Sequence, residues 1–345
     1  MVDDIALPIM SQISVITPLH NKGPYIRETI RSLQRQSLTD WELLVVENHS
    51  TDDGPERVQR ISEEDSRIQF LQAPSAVRGP GAARNHGIER AMGKYLLFLD
   101  ADDLLDSQHL ESLLRRAGET NADIVASDWL EFRDGPAGAN VPPPGEMTRK
   151  QATASIPGRI SLSESAIAFA PWAVHCALVK ADGLTPDRRW APELDRLPSE
   201  DTAFWFRAIQ NRHVEWTNQH TAIYRTHSAN YRNQHEDIAL WLRAMTAITN
   251  ANLAFLEQLG ERLTLRHCEM LMRMWENIAI RAVGASDYAA ARVARRNAEE
   301  WLDRCFSAGG VPQAPLKWRR RLGLSAIIYA KAVSQSVRPK RDRQA

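Results

Sequence analysis

The apolar run Tyr95-Leu96-Leu97-Phe98-Leu99 ends abruptly in Asp100-Ala101-Asp102-Asp103. So continuous a run suits a strand buried on both faces, the habit of parallel sheets covered by helices. Acidic side chains do not belong inside such a strand, so they mark its carboxyl end. In open α/β sheets, ligands bind beyond the carboxyl ends of the strands. The polar residues that follow each strand are therefore the ones that carry chemistry.

The same alternation extends over the first 130 residues. Ile13–Thr17, Trp41–Val46, Ile68–Leu71 and Ile124–Ser127 read as further strands. Tyr25–Gln36 has helical spacing, with Ile26, Ile30 and Leu33 on one face. Gly81–Ala91 and Leu104–Arg116 read as helices too. Together these predict an α/β domain with a mostly parallel sheet. Arg133–Pro157, rich in Gly and Pro, reads as a loop or flexible insertion. From about Ile238 to Val333 the spacing is helical, with turn signals at Gly260, Gly284 and Gly309–Gly310.

Carboxylates one residue apart, as at Asp100 and Asp102, suit a hard divalent cation that also holds a diphosphate. The first can reach a ribose or a metal-bound water while the second ligates the metal. The same acids also suit the cap of a following helix. A second acidic pair, Glu200-Asp201, follows Pro198-Ser199 at the start of a helical stretch. It reads either as a cap, since acids favour a helix N-terminus, or as chemistry. Arg84 by itself reads as a surface helix residue. Trp172 by itself reads as a core residue.

Four segments occur in a telling order: Ile16-Thr17-Pro18-Leu19-His20-Asn21, Val46-Glu47-Asn48-His49-Ser50-Thr51-Asp52, Ala82-Ala83-Arg84-Asn85-His86-Gly87, and Phe98-Leu99-Asp100-Ala101-Asp102-Asp103. In order and spacing they resemble the family 2 glycosyltransferases, inverting enzymes with a GT-A fold. The resemblance covers about residues 12–105, with weaker matches to about 230. It implies a Rossmann-like nucleotide-diphospho-sugar transferase fold with a helical C-terminal extension. The implied division is a GT-A domain over 1–232, with a donor half at about 10–130 and an acceptor half at about 160–232. Residues 233–345 would then be the helical extension with its basic tail.

Roles follow from the resemblance. Thr17 and Pro18 would wall the nucleobase and ribose. Glu47 or Asn48 would accept the uracil imide N–H, although the family usually has Asp at both positions. An Asn carbonyl can still accept that bond. His49 stands where the family usually has Gly. Arg84, Asp100 and Ala101 would complete the donor site. Asp102, with His227 from Tyr224-Arg225-Thr226-His227, would hold a divalent cation, Mn2+ or Mg2+, and Arg225 or His227 could contact the diphosphate. Asp201 would be the general base. Trp172 and Glu200 would face the acceptor, with His175 as a polar neighbour. The implied partners are a nucleotide-diphosphate sugar, most simply a UDP-sugar, and a glycan or lipid-linked acceptor of surface polysaccharide synthesis. A GDP- or dTDP-sugar donor is the alternative within the family. A non-catalytic nucleotide-sugar or glycan-binding homologue is the alternative outside it, and Asp201 speaks against that one. A Rossmann oxidoreductase needs a G-x-G-x-x-G turn after the first strand, and Thr17-Pro18-Leu19-His20-Asn21 is not one.

Charge adds one more expectation. Lys plus Arg and Asp plus Glu number 43 each, so bulk charge implies no nucleic-acid partner. Residues 311–345, however, hold nine basic residues and one acid, a net +8 on an otherwise acidic chain. Leu316–Val333 combines this charge with Trp318, Leu322, Leu324, Ile327 and Ile328. Such a helix can lie on an anionic membrane surface, or it can simply pack and trail a solvated tail. Cys176, Cys268 and Cys305 fit no paired spacing, and no signal peptide is read. A cytoplasmic location is therefore expected, with peripheral attachment to the inner membrane face as an option.

Overall fold

The computed structural model describes residues 11–76, 78–134, 141–152, 161–227, 237–308 and 314–337. The chain divides into two compact units. The first comprises 1–155, 172–195 and 211–227, and the second 156–171, 196–210 and 228–345. The two units interleave along the chain. Two internal segments, one of them carrying Glu200 and Asp201, group with the C-terminal helices.

The first unit opens as β1 (Ile13–Leu19), α1 (Gly23–Gln34), β2 (Trp41–Glu47), α2 (Gly54–Glu64), β3 (Ile68–Gln72), α3 (Pro80–Ile88) and β4 (Tyr95–Phe98). The strands lie parallel in the order β3-β2-β1-β4. All seven residues of β2 and all four of β4 are buried, as the continuous apolar runs require. Polar residues within these strands satisfy one another. Ser14 donates to Glu42 (2.6 Å), which also receives the Met92 N–H and Gln69. Ile26, Ile30 and Leu33 of α1 pack on the sheet's core as their spacing demands. Helix α2 is an addition to the sequence reading. Its Gly54-Pro55 start resembles a turn, and it buries few apolar residues.

The chain continues as β5 (Leu104–Leu105), α4 (His109–Thr120), β6 (Ile124–Arg133), β7 (Thr148–Lys150), β8 (Ala177–Lys180) and β9 (Val214–Thr226). Here the expectation of a mostly parallel sheet fails. β8 runs antiparallel to both β4 and β6, β9 is parallel to β6, and β5 and β7 are antiparallel edges. The helix expected from Leu104 begins at His109 instead. Leu104 is buried with Leu130, Phe132, Met147 and Ile223, and it pairs with β9. Part of the expected loop at 133–157 is ordered as β7, while residues 135–140 and 153–160 lie outside the described residues.

The second unit contains α5 (Leu162–Ser165), α6 (Glu200–Ile209), α7 (Ile238–Gln258), α8 (Leu265–Gly284), α9 (Tyr288–Ser307), α10 (Ala314–Leu322) and α11 (Leu324–Val337). α8 is its core, burying Leu271, Met272, Trp275, Ile278 and Ala279. Gly260 and Gly323 end α7 and α10 with positive φ (70° and 79°), where L side chains are strained. Gly284 closes α8 as expected, whereas Gly309–Gly310 lie outside the described residues. The single basic helix expected over Leu316–Val333 is two helices. Leu316, Leu324, Ile328 and Ala332 are buried, and Arg319 and Lys331 both pair with the buried Glu276 of α8 (3.0 and 2.5 Å). Among the described residues, no helix is long and apolar enough to cross a membrane. All three cysteines are buried and free.

Candidate active site at the carboxyl ends of the parallel strands

The ends of β1, β2 and β4 lie side by side. The Leu99 N–H donates to the Ile16 carbonyl (3.0 Å) and the Asn48 N–H to the Leu19 carbonyl (2.8 Å). Past them the chain makes tight polar turns. Asp52 closes one by accepting the Gly23 and Gly54 N–H groups (2.7 and 3.0 Å), so one carboxylate caps both α1 and α2. Acids at helix N-termini are favourable there.

Asp102 stands at the centre of the group. Its Oδ2 accepts from the Lys22 ammonium at 2.6 Å and lies 2.8 Å from His227 Nε2. Lys22 Nζ is also 3.5 Å from that ring nitrogen. Tyr25 stacks on the imidazole, with centroids 4.6 Å apart. Burial alone would raise the Asp102 pKa; the His227 hydrogen bond and the Lys22 charge outweigh it and bring it down to about 2. Three distant segments thus meet: Lys22 precedes α1, Asp102 follows β4, and His227 follows β9.

The next residue behaves differently. Asp103 is buried, accepts the Arg225 N–H (2.8 Å) and pairs with His175 Nδ1 (3.0 Å). Arg225 is 1% exposed and fully engaged. It donates to the Asp102 carbonyl (2.8 Å), Asp134 (2.9 Å) and Glu28 (2.5 Å). The expectation that Arg225 contacts a diphosphate is corrected: it ties α1, the Asp102 turn and β6 together. His175 is likewise corrected from an acceptor residue to the buried partner of Asp103.

The turn after β2 separates the two candidate base contacts. Glu47 accepts from the Ser50 N–H and from Gln72, bonds that hold its pKa down against the upward push of burial. Its carboxylate stabilises the turn, in which His49 adopts φ 61°. Asn48 donates its amide N–H to the Gly79 carbonyl (2.7 Å), which leaves the amide oxygen as the acceptor. Behind it, Arg84 pairs with Asp100 (2.6 Å) and lies 4.1 Å over the Trp190 ring. The Asp195 carboxylate accepts the Gly81 and Ala82 N–H groups (both 2.8 Å) at the start of α3. A Cβ at Gly79 or Gly81 would come within 2.5 Å of that carboxylate, which explains both glycines.

Residues 14–157 match Glycosyl transferase family 2. That region is a family 2 glycosyltransferase domain. A GalNAc(5)-diNAcBac-PP-undecaprenol beta-1,3-glucosyltransferase from Campylobacter jejuni is 33% identical over 122 residues, 35% of this chain and 40% of that protein. A poly(ribitol-phosphate) beta-N-acetylglucosaminyltransferase, TarP, from Staphylococcus aureus is 34% identical over 122 residues, 35% of this chain and 37% of that protein. The chain therefore spans well under half the length of these curated relatives. Among solved structures, residues 1–349 of S. aureus TarS in complex with UDP-GlcNAc align with a TM-score of 0.55 at 17% identity, over 84% of this chain and 92% of that one. A mannosyltransferase from Pyrobaculum calidifontis, in complex with GDP-Man and Mn2+, aligns with a TM-score of 0.50 at 16% identity, over 95% and 84%. The fold is GT-A with a helical C-terminal region.

Of the residues singled out in the sequence, Asp100 with Arg84 and Asp102 with His227 come together as pairs. Thr17 is buried with its Oγ1 unpartnered among the described residues, and Pro18 beside it is half-buried. Ala101 is corrected: its side chain is in the core and its carbonyl accepts from Thr29 (3.0 Å). Trp172, only 2% exposed, is a core residue and presents no open face for a sugar. Glu200 and Asp201 form the first turn of α6 in the second unit. Ser199 before them sits at φ 64° and makes no side-chain cap bond.

The residue missed in the sequence is Lys22. Its signal is a cation in the turn after β1, the strand adjacent to the one that ends in the acids. Among the described residues no three His, Cys, Asp or Glu groups gather as a metal site. Asp102 and His227 do supply two adjacent donors facing one cation, the Lys22 ammonium. Two protein donors suffice for an ion whose other ligands are phosphate oxygens and water.

Proposed function

We propose that this protein is an inverting glycosyltransferase moving a sugar from a nucleotide-diphosphate donor, most simply a UDP-sugar, to a hydroxyl of a glycan or lipid-linked acceptor. The single observation that carries this reading is that Asn48, Asp100 with Arg84, and Asp102 stand at the strand ends of a family 2 domain, with His227 brought to Asp102 from the end of β9. Asn48 offers an acceptor for a base N–H, and Asp100 one for a ribose hydroxyl. The names of the relatives, which include transfer to a polyprenyl-diphosphate-linked glycan and to a polyol phosphate polymer, support surface polysaccharide synthesis.

In this reading Asp201 takes the proton of the acceptor hydroxyl as its oxygen attacks the anomeric carbon, and the bond to the diphosphate breaks on the opposite side. A divalent cation held by Asp102 and His227 would carry the charge of the leaving group. Tyr25 holds the His227 ring in place by stacking, and Arg225 holds the Asp102 backbone. The test is a panel of UDP-, GDP- and dTDP-sugars with Mn2+ and an acceptor extract. Release of nucleoside diphosphate should require both one donor class and the acceptor. Tight donor binding without release from any sugar would favour the non-catalytic binding reading.

The C-terminal helices support a second contact, with an anionic membrane surface. Trp318, Leu322, Tyr329 and Val333 are exposed, next to exposed Lys317, Arg320 and Arg321. Each basic residue at such a surface contributes about 1 kcal/mol at most. Because α10 and α11 also seat their inner faces on α8, deleting them would uncover Glu276. Charge reversal at Arg320 and Arg321 is the cleaner test. It should abolish sedimentation with phosphatidylserine vesicles at low salt, and a wild-type protein that ignores such vesicles would end this reading.

A further inference from the structure

The ammonium of Lys22 stands beside both side chains of the cation site read above. Its Nζ is 2.6 Å from Asp102 Oδ2 and 3.5 Å from His227 Nε2, the two protein donors of the cation site read above. An ion held by that oxygen would compete with the ammonium for it. We propose that Lys22 is the resident counter-cation of Asp102, exchanged for the divalent ion when the donor binds. This rests on the glycosyltransferase reading and adds a residue to it.

Three observations carry the exchange. First, the Asp102 side chain is 12% exposed, and a buried carboxylate left unpaired is costly. A cation must stand beside it whether or not a metal is present. Second, the contacts that hold the Lys22 backbone do not involve its side chain. Its carbonyl accepts the Tyr25 and Ile26 N–H groups at the start of α1 (3.0 and 2.9 Å), and Asp52 clamps the next residue. The side chain itself is 24% exposed, on a flexible four-carbon stem. It can leave Asp102 without moving α1. Third, Lys22 and Asp102 lie on different strand-end turns, 80 residues apart, so the pair is built by the fold and is no accident of neighbouring sequence.

A consequence distinguishes this role from a structural one. With Lys22 in place, a divalent ion must displace a charged hydrogen bond, so it binds weakly until diphosphate oxygens add to its ligands. Without the ammonium, the ion should bind unaided.

The experiment measures Mn2+ affinity of the full chain by calorimetry, with and without UDP, for wild type, Lys22→Met, Lys22→Gln and Lys22→Arg. The uncharged variants should bind Mn2+ in the absence of UDP about tenfold tighter or more, the weight of one charged hydrogen bond. The tightening that UDP confers on Mn2+ should shrink in them by a comparable factor. Lys22→Arg should bind Mn2+ as weakly as wild type. Thermal melting keeps the test open if Lys22→Met is fragile: the uncharged variants should melt lower than wild type without Mn2+ and recover when it is added. Unchanged or weaker Mn2+ binding in both uncharged variants, with wild type still binding Mn2+ in the presence of UDP, overturns the exchange and leaves the metal reading standing. Absence of Mn2+ binding in every variant, with UDP present, removes the metal reading and the exchange together.

Discussion

Asp102 and Asp103 are consecutive residues in one turn, yet they belong to two different kinds of structure. Asp102 faces a lysine and a histidine at the partly open end of the sheet. Asp103 faces a buried histidine and the backbone of a buried arginine. Hydrogen bonding holds the first far below the usual carboxylate range, whereas burial raises the second. The partners differ in permanence. Lys22 is one flexible side chain, while Arg225 spans Glu28, Asp134 and the Asp102 carbonyl. Consecutive acids of one motif thus have different surroundings, one beside a partly exposed lysine and the next tied into the buried frame.

The largest effect should come from Asp102→Asn. It keeps the shape of the side chain but removes the charge that faces Lys22. Transfer should fall by roughly 10³-fold or more, as when a transition-state charge partner is lost, and Mn2+-dependent UDP binding should weaken. Some stability should be lost as well, because a carboxylate that its folded partners hold down to about 2 favours the folded state. Asp103→Asn should differ in binding: it should lower stability by about 1–3 kcal/mol while the folded protein still binds UDP with Mn2+. If the two variants bind UDP and Mn2+ alike, the contrast between the two acids is wrong.

Asp201→Asn extends the contrast to the second unit. Asn caps a helix about as well as Asp, so a purely capping acid should tolerate the change. A general base should not, and turnover should drop by about 10²–10⁴-fold with UDP affinity kept. Near wild-type transfer would move the base elsewhere, to Glu200 first.

Arg225→Met tests the permanent side alone. Breaking a buried ion-pair cluster by removing one member costs about 3–5 kcal/mol. Denaturant unfolding should show a loss of that size, because Asp134 and the Asp102 carbonyl lose their partner. A loss below about 1 kcal/mol would place Arg225 among weak surface pairs and would return it to the list of donor contacts.

How much of this was legible follows from how local each signal is. β1, β2 and β4 announce themselves because burial on both faces leaves a continuous apolar run, and the polar turns that follow mark the site. The antiparallel half is not legible in this way. β8 is only four residues long, and Leu104–Leu105 look like the first turn of α4 until β9, more than 100 residues later, pairs with them. Asp102 and His227 could be named separately from their motifs. Lys22 could not, because a lysine beside a turn is ordinarily solvated, and only the fold brings it to Asp102. Arg225 reads as a ligand contact in the sequence for the mirror-image reason: Glu28, Asp134 and the Asp102 carbonyl converge on it from three parts of the chain.

The smallest expected effect is the pH response of the Asp103–His175 pair. Burial alone would lower the His175 pKa, but the Asp103 charge outweighs it and the net shift is upward. Burial also raises Asp103 above its ordinary 3.8. Each group therefore binds its proton more tightly in the folded chain than in the unfolded one, and both make stability fall as pH rises. For His175 the contribution is fully present below the unfolded value of about 6.5 and is lost as pH climbs through the folded value. His109, which lies 3.1 Å from the His175 carbonyl, stays out of this window because burial holds its pKa down to about 3. Urea unfolding of wild type and His175→Gln at several pH values isolates the pair, since every other titrating group is common to both. The variant should be clearly less stable at pH 6, and the gap should narrow steadily toward pH 9. A gap of constant size would mean that the imidazole acts as a neutral hydrogen-bonding partner. Asp103 would then be held by the Arg225 N–H and a neutral imidazole N–H, and the pair would carry one charge instead of two.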